Sequence, residues 1–351
     1  MQLIIKKLLI IFILSIAFWP KQSKLLAENN NDFDDFGLIS IMYHRFDESK
    51  YPSTNIQMNV FKKQLEIIEN QGIKFIHPRD FLKSLSENKK ERKILFTVDD
   101  GLLSFYKNAW PVLKKKKIPF ILFINTREVG SFNYMSWDQI KELHMSEDVE
   151  IGNHSHSHEY LVEESVDFIR KDILRSIEIF EKELGKNSEF FSYPFGEYSL
   201  VFKQIIKDLG FKYAFGQHSG VIDETKDLWE LPRFPINEKY GEIKRFNTLM
   251  KTLPFKYKNI YPNDMYLLQS NNPPKVKIKF YENIKNLNLI NCFSNEGDKW
   301  RNSKISFKDN NTLEIVIVEK FIGERGRINC SLKETDGFWR WLGIQFVIGD
   351  K

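Results

Sequence analysis

The stretch KILFTVDDGLLSFYKNAWPVLKKKKIPFILFIN, residues 93–125, sets two β-branched and aromatic runs, KILFTV (93–98) and FILFIN (120–125), on either side of a helical pattern near 104–117. A strand, a helix of about 14 residues and a second strand make a crossover unit, which joins parallel strands of one sheet. The unit recurs outward in both directions. Upstream lie LISIMYH (38–44) and IKFI (73–76); downstream lie VEIGN (149–153), EFFSY (189–193), KYAFG (212–216) and ELPRF (230–234). Helical stretches near 58–71, 78–88, 136–145, 163–184, 199–209 and 239–252 alternate with them. Seven or eight such units over about 220 residues fit an α/β fold, a distorted (β/α) barrel, better than an open sheet. Functional side chains are then expected at the C-terminal ends of the strands.

Beyond the segment PFKYKNIYPND (254–264) the helical periodicity stops. Turns rich in Asn and Pro separate the runs KVKIKFY, LNLINCF, SKISFK, TLEIVIV, GRINCSL and WLGIQFVI. This pattern predicts a small all-β sandwich. The reading is a barrel over 28–256 and a sandwich over 257–351, the latter either packing on the barrel or holding a glycan through Trp300, Trp339 and Trp341.

Residues 1–27 read as an export signal: Lys6 and Lys7, an apolar stretch from Leu8 to Trp19, then a polar run. An uncleaved N-terminal membrane anchor is the alternative. The expectation is an exported chain, periplasmic, in the cell envelope or extracellular. The formal charge of +5 includes four lysines of this segment and no acid, so 5 − 4 leaves +1 for the remainder. Lys114–Lys117 closes a helix, where cations suit the macrodipole. Nothing points to nucleic acid. Cys292 and Cys330 form either one disulfide or two buried thiols, and export favours the disulfide.

Two clusters carry chemistry. TVDDG (97–101) ends a strand with Asp99 and Asp100, whose side chains point in different directions; one can hold a cation while the other faces substrate. GNHSHSHEY (152–160) brings three of the seven histidines to the end of another strand. If the chain turns helically there, His154 and His158 converge and His156 points elsewhere; if it is extended, all three line one side. Imidazole pairs suit transition metals, with a third ligand from elsewhere.

TVDDG, HSHSH (154–158) and SYPFGEY (192–198), in this order, resemble the motifs of the polysaccharide deacetylases of carbohydrate esterase family 4, over residues 37–253. The opening MYH (42–44) resembles the branch acting on poly-N-acetylglucosamine. The resemblance implies a distorted barrel that removes acetyl groups from an acetylated glycan. It implies Asp99 as general base and Asp100, His154 and His158 as ligands of a divalent metal, zinc by default, with cobalt, nickel or iron also suiting the donor set. It places Tyr193, Pro194, Phe195 and Gly196 at the substrate, with the Phe195 N–H as oxyanion donor. The chain departs from the family pattern at Ser192, where an Arg that orients the base is usual; Arg233 in ELPRF is the expected replacement. The usual late Leu-x-His acid is missing, leaving His218 in GQHSG and His44 as candidate proton donors. These departures also motivate a rival expectation, a non-catalytic glycan-binding protein with a degenerate deacetylase domain, and HSHSH motivates another, a metal-storage or sensing protein.

Overall fold

The computed structural model describes residues 35–87, 89–281, 284–297 and 299–349. The proposed export signal, 1–27, lies outside the described residues. Among the described residues no helix is long and apolar enough to cross a membrane.

Six parallel strands run side by side in the order β1 (Leu38–Tyr43), β2 (Lys93–Val98), β3 (Phe120–Ile124), β4 (Val149–Asn153), β5 (Phe190–Ser192) and β6 (Tyr213–Phe215). Two short strands lie beside β1: β7 (Val221–Ile222), antiparallel, and β8 (Phe234–Pro235), parallel. The sheet curls because the segment 228–236 spans its two ends. Leu231 bridges to Phe215 of β6, while Phe234 pairs with Ile41 of β1. The run ELPRF is therefore a bridge between sheet edges, with only its last residue in a regular strand.

Strand periodicity of two sorts the apolar residues into two layers. Ile39, Ile41 and Tyr43 of β1 and Ile94, Phe96 and Val98 of β2 face outward onto helix α1 (Met58–Asn70), through Phe61, Leu65 and Ile68. Leu95, Ile121, Phe123, Phe190 and Phe215 face the inside of the curl and pack on one another. Both faces are covered, which explains why these strands read as unbroken apolar runs rather than alternating ones. Each fully buried aromatic ring contributes roughly 1.5–3 kcal/mol by leaving water.

The C-terminal region is β-rich, as its turn pattern predicts. One sheet joins Asn291–Ser294, Arg325–Lys333 and Trp339–Gly349 antiparallel, and Thr252–Pro254 and Tyr266–Leu268 add to it in parallel. The other joins Tyr257–Tyr261, Lys275–Phe280, Thr312–Val316 and Lys304–Asp309 antiparallel. Residues of both sheets, among them Ile278, Leu313, Ile328, Leu342 and Phe346, share one core. The segment PFKYKNIYPND thus supplies an edge strand, and its exposed Lys, Asn and Tyr side chains suit a sheet edge. Cys292 and Cys330 sit opposite each other in the first sheet and are bonded.

This sheet also touches the curled one. The described residues belong to one compact unit. Gly220 bridges to Leu342, and the Trp341 ring meets Phe234 at 6.4 Å. Trp339 and Trp341 are half-buried, whereas Trp300 is exposed.

Candidate active site

The same periodicity that points Leu95 inward points Thr97 and Asp99 inward at the end of β2, and brings Ser192 of β5 and His154, just past β4, to the same mouth. Asp99 is fully buried. Arg233, from the bridging segment, meets its carboxylate with two hydrogen bonds, Nη1–Oδ1 2.7 Å and Nη2–Oδ2 2.8 Å. The guanidinium also donates to Ser192 Oγ (2.8 Å), Thr97 Oγ1 (3.2 Å) and the Gly216 carbonyl (3.0 Å), and lies over the Phe123 and Phe215 rings. Burial pushes the Asp99 carboxyl up, but the charges of Arg233 and His154 outweigh it and hold it below its ordinary value.

Asp100 leaves the strand direction. Its φ of 78° and the 71° of Gly101 place two successive residues in the left-handed region, which turns the Asp100 side chain away from Asp99. Its Oδ1 stands 3.6 Å from His154 Nε2 and 3.5 Å from His158 Nε2. Burial raises the Asp100 carboxyl, yet its contact with His154 and the charges of His44 and His158 hold it well below the usual range.

The histidines converge through neither a helix nor an extended strand. Ser155 (φ 69°) and His158 (φ 55°) are left-handed, and the turn is pinned by Asn153 Oδ1 accepting from the Ser155 N–H and Ser155 Oγ accepting from the His158 N–H. His156 is turned away onto Thr126 Oγ1, 2.9 Å. His154 Nδ1 lies 2.6 Å from the Ser192 carbonyl, so Nδ1 carries a proton and Nε2 is the nitrogen that faces Asp100. For His154, burial lowers the pKa but Asp100 and Asp99 more than reverse it. For His158, burial and the His154 charge push it down to about 4, keeping it neutral near pH 7.

One ligand atom from each of Asp100, His154 and His158 lies within 4.8 Å of the others. Metal–ligand bonds of about 2.1 Å in a tetrahedral set separate neighbouring donors by about 3.4 Å, close to the two separations that Asp100 Oδ1 makes. Asp100 Oδ1 is buried and has no hydrogen-bond partner. A buried anionic oxygen aimed between two imidazole nitrogens fits a divalent cation of borderline softness.

The proton-donor candidates part company. His44, half-buried just past β1, is an electrostatic neighbour of Asp99, Asp100 and His158. His218 makes no hydrogen bond, ion pair or ring contact with those residues. It faces Tyr198 at 6.1 Å and the Glu230 backbone, and burial together with Lys226 and Arg233 pushes it down to about 4. Tyr193 and Pro194 are buried, the Tyr193 hydroxyl donating to the Trp229 carbonyl at 2.9 Å. Phe195 is left-handed (φ 58°), its ring centroid 4.7 Å from that of His158. Gly196 follows at φ 70°.

Sequence reasoning missed the groups that hold this set in place. Asp172, on helix α2 (Val166–Leu184), accepts from the His156 and Ser157 N–H groups at 2.9 and 3.0 Å, and Ser176 Oγ donates to Asn153 Oδ1. A signal was present: Asp172 and Ser176 interrupt the apolar stripe Ile169, Ile173, Phe180 of an amphipathic helix. Asn125 Oδ1 at the end of β3 is buried without a partner beside this mouth. Arg325, from the C-terminal region, carried no local signal.

Residues 86–214 match the family model for polysaccharide deacetylase. A poly-β-1,6-N-acetyl-D-glucosamine N-deacetylase of Staphylococcus aureus is 26% identical over 244 residues, 65% of this chain and 84% of that protein. The structure of IcaB from Ammonifex degensii superimposes with a TM-score of 0.56 at 27% identity, covering 61% of this chain and 97% of that one. The Streptococcus pyogenes deacetylase PplD, in complex with acetate, shares the fold with a TM-score of 0.53 at 24% identity, over 57% of this chain and 93% of that one. The motif order, the Asp–His–His triad at the strand ends and these likenesses make residues 86–214 a polysaccharide deacetylase match and the chain similar to the poly-N-acetylglucosamine deacetylases at about 26% identity.

Proposed function

We propose that the protein is an exported, metal-dependent deacetylase that hydrolyses the acetamide of an N-acetylated polysaccharide. The observation that carries this reading is Asp100 Oδ1, buried and unpartnered between the two imidazole nitrogens, next to a second carboxylate held by Arg233. Asp100, His154 and His158 would hold the cation, zinc by preference. Bound there, it would acidify a water from a pKa of about 16 towards 7 and polarise the acetyl carbonyl.

The chain's own residues supply the rest. Asp99, kept ionised by Arg233, takes the proton of the attacking water. As the carbonyl carbon becomes tetrahedral, charge gathers on its oxygen, and the Phe195 N–H donates to it; a donor of this type is worth roughly 3 kcal/mol in the transition state. The C–N bond then breaks, acetate leaves, and the sugar amine takes a proton from His44, which stands close enough to Asp100 to act on it. Ser192 in place of the family's Arg is compatible with activity, because Arg233 reaches both Ser192 Oγ and Asp99. A disulfide supports an oxidising compartment.

The test is acetate release from N-acetylglucosamine oligomers by the purified protein, before and after chelation, with zinc, cobalt, nickel or iron restored. Binding of the oligomers with no acetate under any metal would leave the glycan-binding alternative.

A further inference from the structure

Two consecutive residues of SYPFGEY adopt left-handed backbone, Phe195 (φ 58°) and Gly196 (φ 70°). Glycine does so freely, and a Cβ at Gly196 would sit 2.5 Å from the Gln217 nitrogen. For phenylalanine the conformation costs about 1–2 kcal/mol, so neighbouring groups must impose it.

Those groups can be named. The Tyr160 ring stacks on Phe195 at 4.2 Å and 6°, and the His158 ring meets it edge-on with centroids 4.7 Å apart. The third comes from far along the chain: Arg325, first residue of the strand Arg325–Lys333, has its guanidinium carbon 5.8 Å from the Phe195 ring centroid. Its Nε meets Glu197 Oε1 at 2.5 Å, and Glu197 is only 2% exposed. Arg325 thus touches the loop at both sides of Gly196. Its own backbone is fixed by pairing with Val347 on the longest strand of the C-terminal sheet.

We propose that Arg325 is a positioning residue of the active site: by gripping Glu197 and covering the Phe195 ring, it fixes the Phe195 peptide that faces the substrate carbonyl. The C-terminal β-region then completes the deacetylase site instead of serving as a detachable glycan-binding module. The role of the Phe195 N–H rests on the function proposed above; the fixing of the loop does not.

The test uses the full chain with metal bound. Arg325→Ala leaves a buried carboxylate unpaired, so the double variant Glu197→Gln/Arg325→Gln, which leaves none, is measured beside it. Both are expected to lower kcat for acetate release by about 100-fold, the scale of an ångström-sized misplacement, with KM and metal content close to wild type. Arg325→Lys, which keeps the charge, should recover part of the loss. Independently of acetate, amide hydrogen exchange at residues 193–198 should quicken in Arg325→Ala while β1–β4 stay protected. Wild-type kcat in both variants, or unchanged exchange at 193–198, would overturn the proposal. A wild-type protein that releases no acetate would remove the proposed function and leave the exchange result to decide this one.

Discussion

Arg233 and Asp99 stand 134 positions apart in the chain and meet inside the curled sheet through two parallel hydrogen bonds, neither side chain exposed to solvent. The pair links the segment that bridges the sheet edges to the strand that opens the metal triad. Closure of the curl and orientation of the proposed base are therefore one structural event.

Replacing Asp99 by Asn keeps the shape but removes the negative charge that Arg233 faces. Acetate release is expected to fall by at least about 100-fold, as for loss of a general base. Stability should drop by about 3–5 kcal/mol, because a buried guanidinium is left without its partner. Metal content should be unchanged, since Asp100, His154 and His158 are intact. Atomic absorption, denaturant unfolding and an acetate assay on one sample check all three.

The same pair gives a pH dependence with a definite sign. The folded-state pKa of Asp99 lies below its ordinary value of 3.8, so the native state binds the proton less readily than the unfolded chain. Its contribution to stability is complete above pH 3.8 and is lost as the pH falls below that value. Arg233→Ala should show a smaller loss of unfolding free energy on acidification than the wild type. Equal acid losses in the two proteins would count against the pair.

Much of this was readable in the sequence. KILFTV and VEIGN correspond residue for residue to strands; the first is a near-continuous apolar run that suits a sheet buried on both faces, while the second alternates Val149 and Ile151 with a half-buried Glu150. The triad was legible from two short motifs at strand ends. The turn that joins His154 to His158 was not, since a left-handed Ser155 has no signature in residue type, and helical or extended spacing were the only templates available. Arg325 was further out of reach: it acts across 128 positions, and only the packing of the C-terminal sheet brings it to Glu197.

Metal binding should appear as stability. A cation at 100 times its dissociation constant raises the unfolding free energy by about 2.7 kcal/mol when it binds only the native state. Thermal unfolding of the wild type should move upward on adding zinc and back on chelation. His154→Ala removes both the Nε2 ligand and the link to the Ser192 carbonyl, and its unfolding should not respond to zinc.

His44 and His218 can be separated by substitution. His44→Ala should lower kcat by about 100-fold or more, the range for a lost general acid. His218 is pushed down to about 4 and stays neutral at pH 7, where it is a poor proton donor. His218→Ala should cost less than about tenfold by the same scale. The reverse ranking, measured on one oligomer at saturating concentration, would move the donor role to His218.

The disulfide ties the strand that carries Arg325 to its neighbour in the C-terminal sheet. Cys292 and Cys330 face each other across adjacent antiparallel strands, 38 residues apart in sequence, and a loop of that length is worth about 4 kcal/mol in the chain-entropy account. A reductant, or Cys292→Ser/Cys330→Ser, should therefore lower the denaturant midpoint. If Arg325 is held by this sheet, activity should fall at denaturant concentrations below those at which the metal is released, because the loop at Phe195 loosens before the triad separates. Loss of activity and metal at one midpoint would show that the two regions unfold as a single unit.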